Sequence, residues 1–204
     1  MHSPLILLLS APSGAGKTTV ADAMIATTPS LRRVVTCTTR PPRPGEVAGR
    51  DYHFLEVAEF AARVERGEFL EHATVYGKSY GTLKRSVVEL LEAGQDVLLN
   101  IDVQGAARVR AEARTDPRLA RALVTVFLTP STLTELERRL RGRGSDSEEV
   151  IRRRLESAQA EVARWREFDY LLVSATRQED LARMQAIFTA ETLRRDRNEL
   201  RLAE

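Results

Sequence analysis

The stretch LILLLSAPSGAGKTT, Leu5 to Thr19, constrains the fold of this chain more than any other feature. A short apolar run leads straight into a glycine turn, and the turn opens a helical pattern. The spacing Ala11-x-x-x-x-Gly16-Lys17-Thr18 in that context reads as a phosphate-binding loop. Its physical basis is specific. Successive backbone N–H groups from Gly14 to Thr18 turn inward at the positive end of the following helix. Glycines at 14 and 16 permit positive φ and close approach of a ligand. Lys17 places a charge between β- and γ-phosphates, and the Thr18 hydroxyl suits Mg²⁺. The candidate ATP-binding set is Ala11, Pro12, Ser13, Gly14, Ala15, Gly16, Lys17, Thr18 and Thr19. Ala11 stands where such loops usually open with glycine, but it adds only a methyl group, and the loop closes normally if its φ is negative.

The apolar run lacks a basic flank and is too short to span a membrane, so a buried strand is expected rather than a leader. Further short runs at 34–37 (VVTC), 96–101 (DVLLNI), 123–128 (LVTVFL) and 169–173 (DYLLV) alternate with helical patterns. Continuous apolar runs of this kind suit strands covered on both faces of a parallel sheet. Helix starts are marked by capping-box pairs. Thr132 and Glu135 precede Leu133, Leu136 and Leu140, and Ser145 and Glu148 precede Ile151, Leu155, Ala158, Val162 and Trp165. The fold class is therefore α/β, with a parallel sheet flanked by helices. At 204 residues the chain suits one domain with small inserts.

Two segments break the alternation. TTRPPRPGEVAGRDYHF (38–54), followed by the strand-like FLEHATVY (69–76), reads as a small inserted sub-domain. RGRGSDS (141–147) is a glycine-punctuated basic turn with the composition of a mobile flap. Arg40 and Arg43, with prolines stiffening the chain between them, present two planar forks suited to a phosphate dianion, and Tyr52 and Tyr80 add hydroxyl donors. A C-terminal helix carries Leu181, Met184 and Phe188 on one face; the arginine-rich tail after it reads as a solvated face, with a subunit contact left open.

A formal charge of +2 says nothing in favour of nucleic acid, and neither nucleic acid nor a membrane is expected as a partner. Cys37 is the only cysteine, so no disulfide framework exists and a cytoplasmic setting is expected. With one thiol and only His2, His53 and His72, no metal site made of protein ligands alone is expected.

Together SAPSGAGKTT, TTRPPRPGEVAGRDYHF, FLEHATVYGKSYGT, VLLNIDVQGA and LRGRGSDSEEVIRRRL resemble guanylate kinase in order and spacing, over nearly the whole chain. The resemblance implies a P-loop NTPase-type sheet as the core (about 1–36, 83–139 and 156–204), a GMP-binding insert (about 37–82) and a helical lid (about 140–155). It implies Mg²⁺-dependent transfer of the ATP γ-phosphoryl group to GMP, with dGMP also expected as acceptor. It assigns Arg40, Arg43, Tyr52 and Tyr80 to the GMP phosphate, and Glu71 to guanine, with Thr36, Gly81 and Thr82 beside it. Asp102 matches an acidic residue near guanine and the metal's water shell. Lys17, Arg139, Arg143 and Arg154 match the cations around the transferring phosphoryl group.

The assignment of Glu71 makes chemical sense. A carboxylate accepts two parallel bonds from guanine N1–H and N2–H₂, and meets a lone pair on adenine N1. Four positions depart from the family pattern. Besides Ala11, Asn100 sits where many members carry aspartate, so an amide rather than a carboxylate would join Asp102 in holding metal-bound water. Ser174 and Ala175 sit where the family usually shows Asn-Asp beside the adenine. Two other readings are a P-loop kinase of phosphosugars and a non-catalytic guanylate-kinase-like binding domain. The paired arginines and Glu71 speak against the first, and Lys17, Thr18 and Arg143 against the second.

Overall fold

The computed structural model describes residues 2–75, 77–142 and 147–199. Its central sheet is built from β1 (Ile6–Ser10), β2 (Leu31–Arg33), β7 (Asp96–Asn100), β8 (Leu123–Pro130) and β9 (Tyr170–Ser174), in the order β2-β7-β1-β8-β9. All four pairings are parallel, with Leu7 of β1 opposite Leu98 on one side and Val124 on the other. Every residue of β1 is buried, and alternation sends successive side chains into two different cores. Leu5, Leu7 and Leu9 pack with Val20 and Met24 of α1 (Lys17–Thr27) and Met184 of α8 (Arg177–Thr192). Ile6 and Leu8 face Val87 of α3 (Lys84–Glu92), Ala106 and Val109 of α4 (Val103–Thr115), and Leu119 of α5 (Pro117–Ala122). This is the doubly covered parallel sheet expected, and its central strand delivers the phosphate loop at the carboxyl edge.

A second sheet, in the order β4-β3-β6-β5, contains β3 (Thr36–Thr38), β4 (Tyr52–Phe54), β5 (Phe69–Val75) and β6 (Lys78–Leu83). β5 and β6 form an antiparallel hairpin whose register shifts between Phe69 and Glu71. Phe60 of α2 (Val57–Glu65) stacks on Phe69 at 4.5 Å, and the two enclose Cys37 in a small core of its own. Burial pushes the Cys37 thiol up to about 11.

The structure corrects the sequence reading in several places. VVTC is not one strand: β2 ends at Arg33, β3 begins at Thr36, and the chain passes between the two sheets at Val34 and Val35. As an edge strand β2 buries only Leu31, so no apolar run announced it. The helix α7 (Glu148–Val162) is capped by the Ser147 hydroxyl, which accepts from the Val150 N–H; Ser145 lies outside the described residues. That helix stops at Val162, and Trp165 belongs to a 3₁₀ turn.

Last, the arginine tail is not wholly solvated. Arg197 is 4% exposed and pairs with buried Glu191 at 3.5 Å, while Glu191 accepts the Tyr170 hydroxyl at 2.6 Å. Thr132 does cap α6 (Leu133–Arg141) by accepting the Glu135 N–H, but the Glu135 carboxylate turns to Arg138 and Arg139 instead of closing the expected box, whereas Thr176 with Glu179 forms a reciprocal box on α8 that the sequence reading passed over.

Candidate active site

The loop between β1 and α1 has the backbone its glycines imply, with φ of 93° at Gly14 and 98° at Gly16. Gly16 is the N-cap of α1 and no side chain caps that end, so its first-turn N–H groups are left for a ligand. Ala11 is 3% exposed and belongs to the core cluster of Leu9 and Val20, which is where its extra methyl goes. Gly14 has a second reason to be glycine. A Cβ there would stand 2.7 Å from Leu140 Cδ2 and 3.3 Å from Leu136 Cδ1, because α6 packs directly on the loop.

The loop forms one wall of a cavity of about 610 Å³. Asp102 and a face of α7 close the other side: Val150, Arg153, Arg154, Ser157 and Glu161. Lys17 points its charge into this environment, and burial pulls its amine down to about 8 against the attraction of Asp102, Glu161 and Glu71. Glu161 is pushed above the usual carboxylate range by burial and by Asp102, with Lys17 and the Ser13 N–H opposing. The cavity therefore holds a partly desolvated cation between carboxylates, an arrangement that a polyanionic ligand would reorganise.

Asp102 caps α4, accepting the Gly105 N–H at 2.7 Å. The Oδ1 of Asn100 and the Oγ of Ser10, at the adjoining ends of β7 and β1, are buried without a hydrogen-bond partner among the described residues. Hydroxyl, amide and carboxylate oxygens are the hard donors that Mg²⁺ and its waters prefer, and Thr18 is exposed on the same loop.

Of the three arginines expected here, Arg139 contacts the loop itself. Its Nη1 donates to the Ala15 carbonyl at 3.2 Å and to Ser174 Oγ at 3.0 Å, and its Nε donates to Glu135 at 2.7 Å. Glu135, held between Arg138 and Arg139, is pulled down to about 2. Arg154 lines the cavity. Arg143 lies outside the described residues.

The second sheet brings together a separate polar set. Glu71 is 5% exposed and Thr82, opposite it in the hairpin, donates to its Oε1 at 2.7 Å. Burial raises the Glu71 pKa, the Thr82 bond opposes this, and Asp102 adds to it. A Cβ on Gly105 would lie 2.9 Å from Glu71 Oε2 and 3.4 Å from Asp102 Oδ1, so these carboxylates flank one small space at the start of α4. Thr36 is half-buried on β3 opposite Tyr52. Gly81 is fixed by packing, since a Cβ would strike the Phe69 ring at 2.7 Å.

Arg40 lies 5.3 Å from the Tyr52 ring centre, and the Tyr52 and Tyr80 rings meet at 6.3 Å. Its fork is already engaged, however. Both Nη atoms donate to Glu46 at 2.9 Å, and the Arg43 N–H donates to the same carboxylate at 2.7 Å, with the Arg43 side chain exposed. Glu46 thus ties the Arg40 side chain to the Arg43 backbone.

Sequence reasoning missed Glu46 and, apart from Arg154, the α7 face. For the latter a signal existed: 150, 153, 154, 157 and 161 fall at helical spacing beside the apolar stripe of Ile151, Leu155 and Ala158.

The profile of the family described as guanylate kinase matches residues 2–191. A guanylate kinase of Cereibacter sphaeroides is 49% identical over 195 residues, covering 95% of this chain and 89% of that relative. One of Paramagnetospirillum magneticum is 48% identical over 193 residues, covering 95% and 87% respectively. The crystal structure of guanylate kinase from Anaplasma phagocytophilum superposes with a TM-score of 0.75 at 29% identity, covering 97% of this chain and 90% of that one.

Proposed function

The chain belongs to the guanylate kinase family and is an ATP:GMP phosphotransferase, and we propose that its two-sided site divides the reaction as follows. ATP takes the cavity beside Gly14–Thr19, with Lys17 between its β- and γ-phosphates. GMP takes the second sheet, its base on Glu71 and Thr82 with Thr36 at its edge, and its phosphate on Arg40, Arg43, Tyr52 and Tyr80. Residues 37–82 act as the GMP-binding unit and 140–155 as the lid. The observation that supports this most is the placement of Asp102. It lies beside the phosphate loop through the cavity wall and beside Glu71 through Gly105, where a donor and an acceptor nucleotide would meet.

The chemistry needs neither a protein nucleophile nor a base, because a GMP phosphate oxygen is already anionic at neutral pH. The obstacle is repulsion between two polyanions. Lys17, Arg139, Arg143 and Arg154 offset it and hold donor and acceptor in line. Thr18, with Asp102 or Asn100 acting through water, would hold Mg²⁺, which when bound neutralises phosphate charge. Glu46 releases the Arg40 fork when the GMP phosphate arrives. The lone buried thiol of Cys37 fits a reducing cytoplasm, and free nucleotides are the partners the reading requires; self-association is a separate question.

The test is one coupled assay with ATP and Mg²⁺, offering GMP, dGMP, AMP, UMP and ribose bisphosphate in parallel. GMP and dGMP should turn over, with AMP slower by about 10³-fold or more, since the site's buried carboxylate is left unpaired by adenine. Faster turnover of ribose bisphosphate than of GMP would overturn the acceptor assignment.

A further inference from the structure

We propose that Asp180 and Ser174 form a buried relay that positions Arg139 against the phosphate loop. Asp180, on the first turn of α8, is 5% exposed, and both its oxygens are engaged. Oδ1 accepts the Ala175 N–H at 2.9 Å and Oδ2 accepts the Ser174 hydroxyl at 2.7 Å. A serine hydroxyl has a single proton. With that proton committed to Asp180, Ser174 Oγ presents lone pairs to Arg139, whose Nη1 donates to it at 3.0 Å. The same Nη1 reaches the Ala15 carbonyl at 3.2 Å, and Glu135 holds Nε at 2.7 Å. The guanidinium is thus held from its own helix, from the loop and from the end of β9, while Nη2 makes no hydrogen bond to a described residue.

A helix-capping role does not account for Asp180. The N-terminus of α8 already carries a complete capping box from Thr176 and Glu179. Asp180 instead sits one residue before Leu181 and four before Met184, both packed in the main core, where a carboxylate is costly unless its bonds are specific. What it gains is orientation. A long arginine side chain loses much rotamer freedom when fixed, and a group fixed in advance does not have to be ordered during the reaction. Asp180 and Ser174 act through Arg139 in this scheme and are positioning residues.

The proposal rests on the assignment of Arg139 to the transferring phosphoryl group, and the experiment separates the two. kcat and KM for ATP and GMP would be measured for Arg139→Ala, Asp180→Asn and Ser174→Ala, and for each of the last two combined with Arg139→Ala. An asparagine at 180 cannot accept from both Ala175 and Ser174, so one donor meets an amide NH₂. Asp180→Asn and Ser174→Ala should each lower kcat roughly 10-fold while KM for GMP moves less than about 2-fold. Neither should lower kcat further once Arg139 is gone.

An equal loss with and without Arg139 would overturn the relay and leave the role of Arg139 standing. Unchanged kcat in both single variants would do the same. Wild-type kcat in Arg139→Ala would overturn the assignment of Arg139 and the relay with it. If Asp180→Asn does not fold, Ser174→Ala, which removes one oxygen atom, carries the same comparison.

Discussion

The buried carboxylate of Glu71 costs the folded chain stability. Its carboxyl is held above the usual value of 4.5, chiefly by burial, so the folded chain keeps a proton at pH values where the unfolded chain has released it. Stability therefore falls as pH rises from 4.5 through the raised native value, and the cost is fully present above that window. Glu71→Gln keeps an acceptor for Thr82 and removes the buried charge. In thermal melts the variant should gain Tm at neutral pH and gain little near pH 4, where the wild-type group is protonated in both states. KM for GMP should rise roughly 10- to 100-fold and the preference for GMP over AMP should shrink, because a charged hydrogen bond is lost. An unchanged GMP/AMP ratio would contradict the reading of Glu71. Ala11 departs from the usual pattern, and it is buried with Leu9 and Val20 in the main core.

The phosphate loop, α6 and α7 behave as one packed assembly. Leu136 and Leu140 of α6 lie on Gly14 and also meet Ile151 and Ala158 of α7, so the helix that carries Arg139 and the helix that carries Arg154 share a core above the nucleotide loop. Gly14→Ala meets two penalties here. The positive φ costs an L-residue roughly 1–2 kcal/mol, and the new methyl would press on Leu140 Cδ2 at 2.7 Å. Tm should fall and KM for ATP should rise. In a Leu140→Ala background, itself destabilised by truncation of a buried side chain, Gly14→Ala should lower Tm by less than in the wild type but still lower it, because the contact is relieved and the backbone strain is not. No further loss in that background would mean that the strain at Gly14 is negligible.

Across the molecule, the two ends of the chain are tied together away from the site. The Ser3 N–H donates to the Arg197 carbonyl at 2.6 Å, His2 bridges to Asn198, and the Arg197 side chain is buried against Glu191. Arg197→Met leaves the Glu191 charge with the half-exposed Arg194 at 3.6 Å and the Tyr170 hydroxyl, so the loss should stay below the ~3–5 kcal/mol of a fully unpaired buried charge and lower Tm by about 5 °C. kcat at 25 °C should hold, and adding Glu191→Gln should recover part of the Tm; a kcat loss that persists well below the melting range would show that the tail communicates with the site. Much of this architecture was readable in one dimension. β1, the loop and α1, the hydrophobic alternation and the Thr132 cap all depend on residues a few positions apart, whose geometry is set by local sterics and hydrogen bonding. The residues proposed for the acceptor side come from motifs whose residue types and spacing carry the resemblance. Their partners could not be read that way. Arg40 meeting Glu46, Arg139 bridging Ala15 and Ser174 across separations of 124 and 35 residues, and Arg197 buried where a polar tail was expected depend on which surfaces the fold brings together. A polar side chain has many energetically similar partners available in an open chain, and only the packed sheet and helices leave it one.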